Sequence, residues 1–173
     1  IYPLLLACER KFTKNELIRV LKLIETVLFR YSVIGKLNPN SLENILSRAA
    51  VGVNTVKLTT PRAIFNELSD IYVNDEDFIQ AFKKARIVTK NRKKIVRYIL
   101  FKIENSLRLT ELDWESNNGT IEHILPENPS ERWTEVIANE DHEEYIYRLG
   151  NYALLSPSDN RRVGNDLLST KRN

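Results

Sequence analysis

The segment Ile121–Pro126, IEHILP, places a carboxylate next to an imidazole inside a short apolar stretch. An unpaired charge in a buried strand costs several kcal/mol to desolvate, so the pair Glu122 and His123 requires an explanation. A neutral imidazole can take a proton from water near pH 7, and a carboxylate can hold a hard cation. Either the pair lies at the surface by chance, or it takes part in hydrolysis.

A strand–turn–strand–helix pattern surrounds the pair. The runs Thr120–Leu125 and Tyr152–Leu155 are short and rich in residues that favour strands, with a turn indicated at Asn151. A helix is expected from about Asn160, with Asp159 as a residue of its cap. We expect the two strands to pair as an antiparallel hairpin and the helix to pack across them.

This arrangement predicts a metal-dependent hydrolytic site. Glu122 and Asn160 would converge on a divalent cation, and His123 would point into the same cleft as a general base. Mg²⁺ prefers oxygen ligands and keeps several of its waters, so one carboxylate and one amide oxygen form a suitable shell. Mn²⁺ is the alternative ion.

Charge is distributed unevenly along the 173 residues. Residues 1–110 carry a net charge of +10 and residues 111–173 one of −7, within the net +3 of the chain. The excess is concentrated in Lys83–Lys102, where nine of twenty residues are Lys or Arg and none is acidic. We expect an amphipathic helix there, whose basic side is either a solvated face or a surface for nucleic-acid phosphates. The residues assigned to phosphates are Lys83, Lys84, Arg86, Lys90, Arg92, Lys93, Lys94 and Arg97, and the same two alternatives stand for Arg161 and Arg162.

The first 110 residues predict a bundle of helices. Thr13 and Glu16 fit a capping box ahead of apolar residues at three- and four-residue spacing, and Thr60 before Pro61 fits another helix start. Further helices are expected from about residues 40 and 75. The predicted fold class is therefore mainly α with a small β-hairpin, in which a helical bundle (residues 1–110) precedes the hairpin module (111–173).

The remaining features bear on burial and compartment. Cys8 is the only cysteine, so a disulfide framework is excluded and a buried thiol is expected. No apolar run reaches the ~20 residues of a membrane helix, and we expect a cytoplasmic protein. Trp133 is expected in the core and His142 in solvent. The start at Ile1 suggests a fragment of a longer protein.

The set IEHILP…RLGNYALL…DNRRVGN…K resembles the HNH, or His-Me finger (ββα-metal), nucleases. It resembles more closely the C-terminal nuclease domain of the GmrSD-type modification-dependent restriction endonucleases. The matching positions are Glu122, His123, Trp133, Leu149-Gly150-Asn151, Leu154-Leu155, Asn160, Asn165 and Lys171. The helical part is similar as well, at YPLLLA near the start and at FRYSVIGKLN around Arg30, so the resemblance covers nearly the whole chain.

The resemblance implies a role for each matched polar position. His123 corresponds to the general base and Glu122 to the acidic metal ligand before it. Asn151 corresponds to the residue whose side chain braces the loop that holds the histidine. Asn160 corresponds to the final metal ligand on the helix, and Lys171 to a position expected at the substrate phosphate.

Two departures from the family pattern are visible. The interval from His123 to Asn151 is longer than in compact HNH modules and is filled by the helix that carries Trp133, although the GmrSD group has such an insertion. The chain also ends at Asn173, close behind the motif, so a nuclease module truncated at its C-terminus remains an open alternative.

The resemblance also implies partners. The expected ones are DNA, including modified DNA, and a nucleotide-hydrolysing ParB-like domain upstream or on a companion chain; no membrane contact is expected. The leading hypothesis is a metal-dependent DNA endonuclease domain of a restriction or phage-defence protein. A catalytically inactive nucleic-acid-binding or protein-interaction module with the HNH fold is the main alternative, and the pair Glu122 and His123 disfavours it. A hydrolase of small phosphoesters is the third, and the basic run disfavours it.

Overall fold

The computed structural model describes residues 1–108, 119–165 and 167. They form two compact units, Ile1–Phe82 and Lys83–Asn173. The first unit is helical, and the second combines helices with a two-stranded antiparallel sheet. This confirms the predicted fold class. The predicted boundary at residue 110 rests on the distribution of charge along the sequence. The assignment of DNA binding to residues 1–110 stays a prediction.

The helix starts predicted at Thr13 and Thr60 are both present in the first unit. Its elements are α1 (Tyr2–Lys11), α2 (Lys14–Leu28), a π-helical turn (Phe29–Ile34), α3 (Pro39–Asn54), α4 (Pro61–Glu67), a 3₁₀ turn (Ser69–Ile71) and α5 (Asp75–Lys84), which runs two residues past the unit. The capping box is present, because Thr13 Oγ1 accepts a hydrogen bond from the Glu16 amide and the Glu16 carboxylate accepts one from the Thr13 amide. Thr60 caps α4 in the predicted way.

The core of the first unit lies where α1 packs against α3 and α2 packs against α4. Leu4, Val20, Val27 and Ile64 are fully buried there, as is Cys8. The prediction of a buried thiol is confirmed. Burial raises the pKa of the Cys8 thiol to about 11, because the charged thiolate cannot be solvated in an apolar core.

The second unit is built around the hairpin. Its elements are α6 (Thr89–Leu107), β1 (Thr120–His123), α7 (Glu131–Thr134), α8 (Asn139–Tyr145), a 3₁₀ turn (Leu149–Asn151), β2 (Tyr152–Leu155) and α9 (Pro157–Val163). The strands pair antiparallel, α6 packs against both, and α9 packs against β1. The hairpin and the helix across it are therefore in the predicted order.

The basic run does not form the single helix that its sequence predicts. It is divided between α5, which ends at Lys84, and α6, which begins at Thr89. Between them Arg86 forms an isolated antiparallel bridge with Arg148, and the Ile87 amide donates to the carbonyl of Tyr147. These backbone partners, distant in sequence, hold the connection in an extended conformation that helical periodicity does not reveal.

Two helices near the hairpin also differ from their predicted positions. The sequence pattern predicts a short helix over Glu143–Leu149, but the observed helix α8 spans Asn139–Tyr145 and ends there because Arg148 is extended in its bridge. The helix expected from Asn160 begins at Pro157, with Ser156 as its N-cap: Ser156 Oγ accepts from the Asp159 amide.

Candidate active site

The hairpin register fixes which side chains share a face. Glu122 lies opposite Ala153, and His123 lies opposite Tyr152. Successive side chains of a strand point to opposite faces, so Thr120 and Glu122 share one face of β1 while His123 belongs to the other. The sequence predicts that Glu122 and His123 point into one cleft, whereas the register places them on opposite faces of β1, because successive side chains of a strand alternate.

Asn160 of α9 contacts the face that carries Glu122. Its Nδ2 donates to Thr120 Oγ1 at 2.8 Å and to the carbonyl of Ile121 at 3.3 Å. Thr120 Oγ1 in turn donates to the carbonyl of Leu155. A carbonyl oxygen can only accept, so the amide nitrogen of Asn160 must face β1, and its Oδ1 lies on the opposite edge of the amide.

This donor set fits a divalent cation that keeps most of its water. Among the residues that the structure describes, no three His, Cys, Asp or Glu side chains come together, so a protein cage of carboxylates is not formed there. Glu122 supplies one carboxylate on this face, and Asn160 presents an amide oxygen rather than its nitrogen. Mg²⁺ is commonly bound by one or two carboxylates with several waters.

On the other face of β1, polar and aromatic side chains surround the imidazole of His123. Its Nε2 lies 3.4 Å from Thr89 Oγ1, at the start of α6, and 3.5 Å from Glu127 Oε1. The ring packs edge-to-face on Tyr152, with the ring centroids 4.9 Å apart. The side chain of His123 is 16 % exposed, which leaves it accessible to water.

Two tyrosines close this face. Burial raises the pKa of Tyr147, and the charge of Glu127 together with a hydrogen bond to it raises it further. The pKa of Tyr152 is also raised, first by burial and then by the charge of Glu127. Tyr152 donates its hydroxyl proton to the carbonyl of Ile87 at 2.7 Å. Both phenols are therefore neutral near pH 7, and their single protons are used in the bonds to the Ile87 carbonyl and to Glu127.

Asn151 holds the loop that follows the histidine. It is buried, and its Oδ1 accepts from the Leu125 amide at 2.7 Å. Its Nδ2 donates to the carbonyls of Leu125 and Ile146, both at 2.9 Å. All three hydrogen-bonding partners are backbone groups, so this side chain braces the backbone rather than reaching toward a substrate.

His142 and Trp133 also hold this region. His142 Nε2 lies 2.8 Å from the carbonyl of Pro126, and because that carbonyl only accepts, Nε2 carries the proton. The prediction of a solvated His142 is wrong, since α8 brings it against the loop. Trp133 is 7 % exposed and donates to the carbonyl of Asn165, which confirms its predicted place in the core.

The basic side chains fall into two groups. Arg86 donates to the carbonyl of Glu143, and Arg97 donates to the carbonyl of Gly119 while its guanidinium stacks on Phe101. These two arginines are engaged within the second unit. Arg86 is nonetheless exposed, as are Lys83, Lys84, Lys90, Arg92, Lys93, Lys94, Arg161 and Arg162, the last of which forms an ion pair with Asp159. Lys171 lies outside the described residues.

The start of α6 connects the basic residues to the hairpin. Thr89 contacts His123, and Lys90, Lys93 and Lys94 follow within the next five residues, on either side of a kink at Arg92, where φ is −131° and ψ is 30°. A substrate phosphate near the imidazole would therefore have exposed ammonium groups in the adjacent helical turns.

Three residues around His123 were not predicted from the sequence. Glu127 stands four residues after the histidine in the quoted motif, a spacing that could have indicated it. Thr89 directly precedes the densest part of the basic run. For Tyr147 we find no signal in the sequence, because its position depends on the bridge between Arg86 and Arg148.

A two-stranded hairpin crossed by a helix, with Glu122 and His123 on opposite faces of β1 and Asn160 bound to that strand, defines a small α+β module. The family described as GmrSD restriction endonucleases, C-terminal domain, matches residues 72–173, and the chain belongs to this family. No curated protein matches the chain. Within the described part of the chain, no helix has the length and apolar character needed to cross a membrane.

Proposed function

We propose that this chain hydrolyses DNA phosphodiester bonds in an HNH (ββα-metal) site that uses a divalent cation, Mg²⁺ or Mn²⁺. Membership in a restriction endonuclease family supports a nuclease. The observation that carries the finer proposal is the position of Asn160: its amide nitrogen donates to Thr120 and Ile121, the two residues before Glu122, which leaves its Oδ1 on the other edge of the amide.

The proposed reaction is an in-line displacement at phosphorus. The attacking water and the leaving oxygen lie on opposite sides of the phosphorus in such a reaction. His123 would take the proton of the attacking water from one side. A cation held by Glu122 and Asn160 would stabilise the charge on the phosphate and the leaving oxygen from the other side.

Asn151 would act indirectly in this mechanism. Its hydrogen bonds fix Leu125, two residues after His123, and thereby limit the positions that the imidazole can take. A misplacement of a catalytic group by about 1 Å can cost ~10²-fold in rate. Lys171, expected at the substrate phosphate, belongs to the proposal on the family resemblance alone.

The exposed basic residues are proposed to hold the DNA backbone. The cluster formed by Lys90, Lys93 and Lys94 starts next to Thr89, which contacts His123, so phosphates bound there would flank the one that is cleaved. Arg86 and Arg97 are left out because backbone carbonyls already engage them. Such contacts give affinity without reading the base sequence.

We further propose that the substrate is foreign, modified DNA and that a nucleotide-hydrolysing ParB-like domain acts with this chain in the cytoplasm. The support for these points is the resemblance to GmrSD-type enzymes. A pull-down with such a domain, in the presence and absence of nucleotide, would test the partnership.

Cleavage of a supercoiled plasmid by the 173-residue chain tests the proposed activity. We expect cleavage with Mg²⁺ or Mn²⁺ and none with EDTA. Glu122→Gln and Asn160→Ala should raise the metal concentration that gives half-maximal cleavage and weaken Mn²⁺ binding measured by calorimetry. The matched controls are Glu135→Gln and Asn15→Ala, which change exposed residues outside the site. Metal-independent cleavage, or DNA binding without cleavage under every metal, would contradict the proposal, and the latter outcome would favour an inactive binding module.

A further inference from the structure

The surroundings of the His123 ring determine which of its nitrogens can act as the base. A neutral imidazole carries one proton, and the nitrogen without it is the one that accepts a proton from water. The neighbours of the ring select between the two tautomers through the hydrogen bonds that they can make. Thr89 Oγ1 and Glu127 Oε1 are polar neighbours of Nε2, at 3.4 Å and 3.5 Å.

These two neighbours also contact each other. Thr89 Oγ1 lies 3.4 Å from Glu127 Oε1, and each lies within 3.5 Å of His123 Nε2. The three polar atoms therefore form a triangle. Such contacts are long for hydrogen bonds, as is usual in catalytic sites before substrate binds.

The protons of this triangle can be assigned from the chemistry of its groups. An ionised carboxylate accepts only, and Tyr152 donates its own proton to the carbonyl of Ile87, so the hydroxyl of Thr89 donates its single proton either to Glu127 or to the phenol oxygen of Tyr152. Towards His123 the Thr89 oxygen can then act only as an acceptor. The carboxylate of Glu127 likewise acts only as an acceptor towards His123. Both neighbours of Nε2 therefore require a proton on that nitrogen.

We propose that Glu127, assisted by Thr89, is a positioning residue that holds His123 with its proton on Nε2, so that Nδ1 is the nitrogen that deprotonates the attacking water. This inference rests on the proposed function for its catalytic consequence. The water proton passes to Nδ1, and the hydroxide attacks phosphorus as the bond from phosphorus to the leaving 3′-oxygen breaks. The leaving alkoxide takes a proton from solvent water, and the imidazolium keeps its Nε2 proton facing the carboxylate. The negative charge of Glu127 stabilises that imidazolium.

The arrangement around Glu127 supports this role. Tyr147 makes a hydrogen bond to Glu127, and the pKa of Tyr147 is raised partly by that carboxylate. Pro126, the residue before Glu127, is held by His142. The carboxylate is thus fixed on both sides although its side chain is 42 % exposed, and such fixing is expected of a group that orients a catalytic imidazole.

The tautomer can be measured directly by ¹⁵N NMR of the histidine side chains, without metal or DNA. The chain has only two histidines, and the variant His142→Gln assigns their signals. At a pH where the rings are neutral, we expect His123 to carry its proton on Nε2 in the wild type. In Glu127→Gln we expect the Nδ1-protonated form to become populated, because an amide can face the ring with either its oxygen or its NH₂ group. Glu135→Gln is the matched control and should leave the tautomer unchanged.

A kinetic measurement completes the test. Under saturating DNA and metal, we expect Glu127→Gln to lower the cleavage rate about tenfold with the Kd for DNA changed less than twofold. An unchanged His123 tautomer in Glu127→Gln would overturn the inference, whatever the rate. The NMR result does not depend on cleavage, so it stands even where His123→Ala cleaves at the wild-type rate, an outcome that would remove the proposed function instead.

Discussion

Among single residues, Asn151 is the one on which the loop after β1 depends most directly. Its amide satisfies three buried backbone groups, on Leu125 and Ile146. A buried polar group without a partner costs about 1–3 kcal/mol, so this side chain contributes to stability as well as to the geometry of the site.

We predict that Asn151→Ala lowers the free energy of unfolding of the second unit by about 2–4 kcal/mol, since alanine leaves those backbone groups without partners. Both tryptophans of the chain lie in that unit, so urea denaturation followed by tryptophan fluorescence reports on it. The exposed Asn15→Ala is the control and should change little. An equal, small effect of both changes would show that the loop does not need the brace.

The thiol of Cys8 gives a second prediction for a single residue. It is fully buried, and its pKa is raised to about 11. The thiolate is the reactive species, so we expect a thiol-specific reagent at pH 8 to modify the native chain far more slowly than the urea-unfolded chain. Since the folded state raises this pKa from 9.0, stability should also decline as the pH rises from 9 towards 11. Rapid modification of the native protein would contradict the burial.

At the scale of single residues, the sequence predicts the motif residues of the candidate site better than the residues that contact them in the fold. The positions of Glu122, Asn151 and Asn160 follow from a local strand–turn–strand–helix pattern. The contact between Thr89 and His123 joins residues 34 positions apart and depends on how α6 meets the hairpin. No local pattern contains that information.

At the scale of elements, the end of α3 has an unusual cap. The amide of Lys57 donates to the carbonyl of Gly52, and that of Val56 to the carbonyl of Val53, which together form a Schellman motif. The residue at the left-handed position of this motif is Val56, with φ of 59°. Glycine or asparagine normally occupies that position, because a β-branched side chain is strained there.

We predict that Val56→Asn raises the stability of the first unit by about 1 kcal/mol by relieving this strain. Val56 is 62 % exposed, so little packing is lost. Val51→Asn is a matched control, because Val51 has the same exposure but lies within α3, where valine and asparagine have similar helix propensities. Thermal unfolding followed by circular dichroism measures both. Equal changes in the two variants would show that the backbone at Val56 is not strained.

The helices also show where the periodicity of apolar residues is insufficient to predict a helix boundary. The capping box at Thr13 and the start of α4 at Pro61 were predicted because capping is a local interaction. The break between α5 and α6 was not, because the extended conformation there is held by Arg148 and Tyr147, about sixty residues along the chain. Tertiary backbone pairing overrides helix propensity in this segment.

For the molecule as a whole, the distribution of charge raises the question of how DNA is held. The chain has a net charge of only +3, and residues 111–173 are acidic. Steering of DNA therefore depends on local clusters rather than on the overall field. The exposed lysines at the start of α6 are the cluster that the structure brings next to the candidate active site.

We predict that replacing Lys90, Lys93 and Lys94 together with alanine weakens binding to all DNA sequences alike. The slope of log affinity against log salt should become flatter by about two to three units, because each lost phosphate contact removes roughly 0.9. Fluorescence anisotropy across a salt series measures it. The matched control replaces Lys11, Lys14 and Lys22, three exposed lysines of the first unit, and thus makes the same change in net charge. If both triple variants have the same slope, α6 presents a solvated face.

The central claim is that His123 is the base of a metal-dependent DNA cleavage reaction. The most direct measurement is the single-turnover cleavage rate of His123→Ala with Mg²⁺ at saturating enzyme, with the Kd for DNA and the melting temperature determined on the same preparation. We predict a loss of ~10²–10⁴-fold in rate, with the Kd and the melting temperature close to those of the wild type. Cleavage by His123→Ala at the wild-type rate under the same metal would contradict the account.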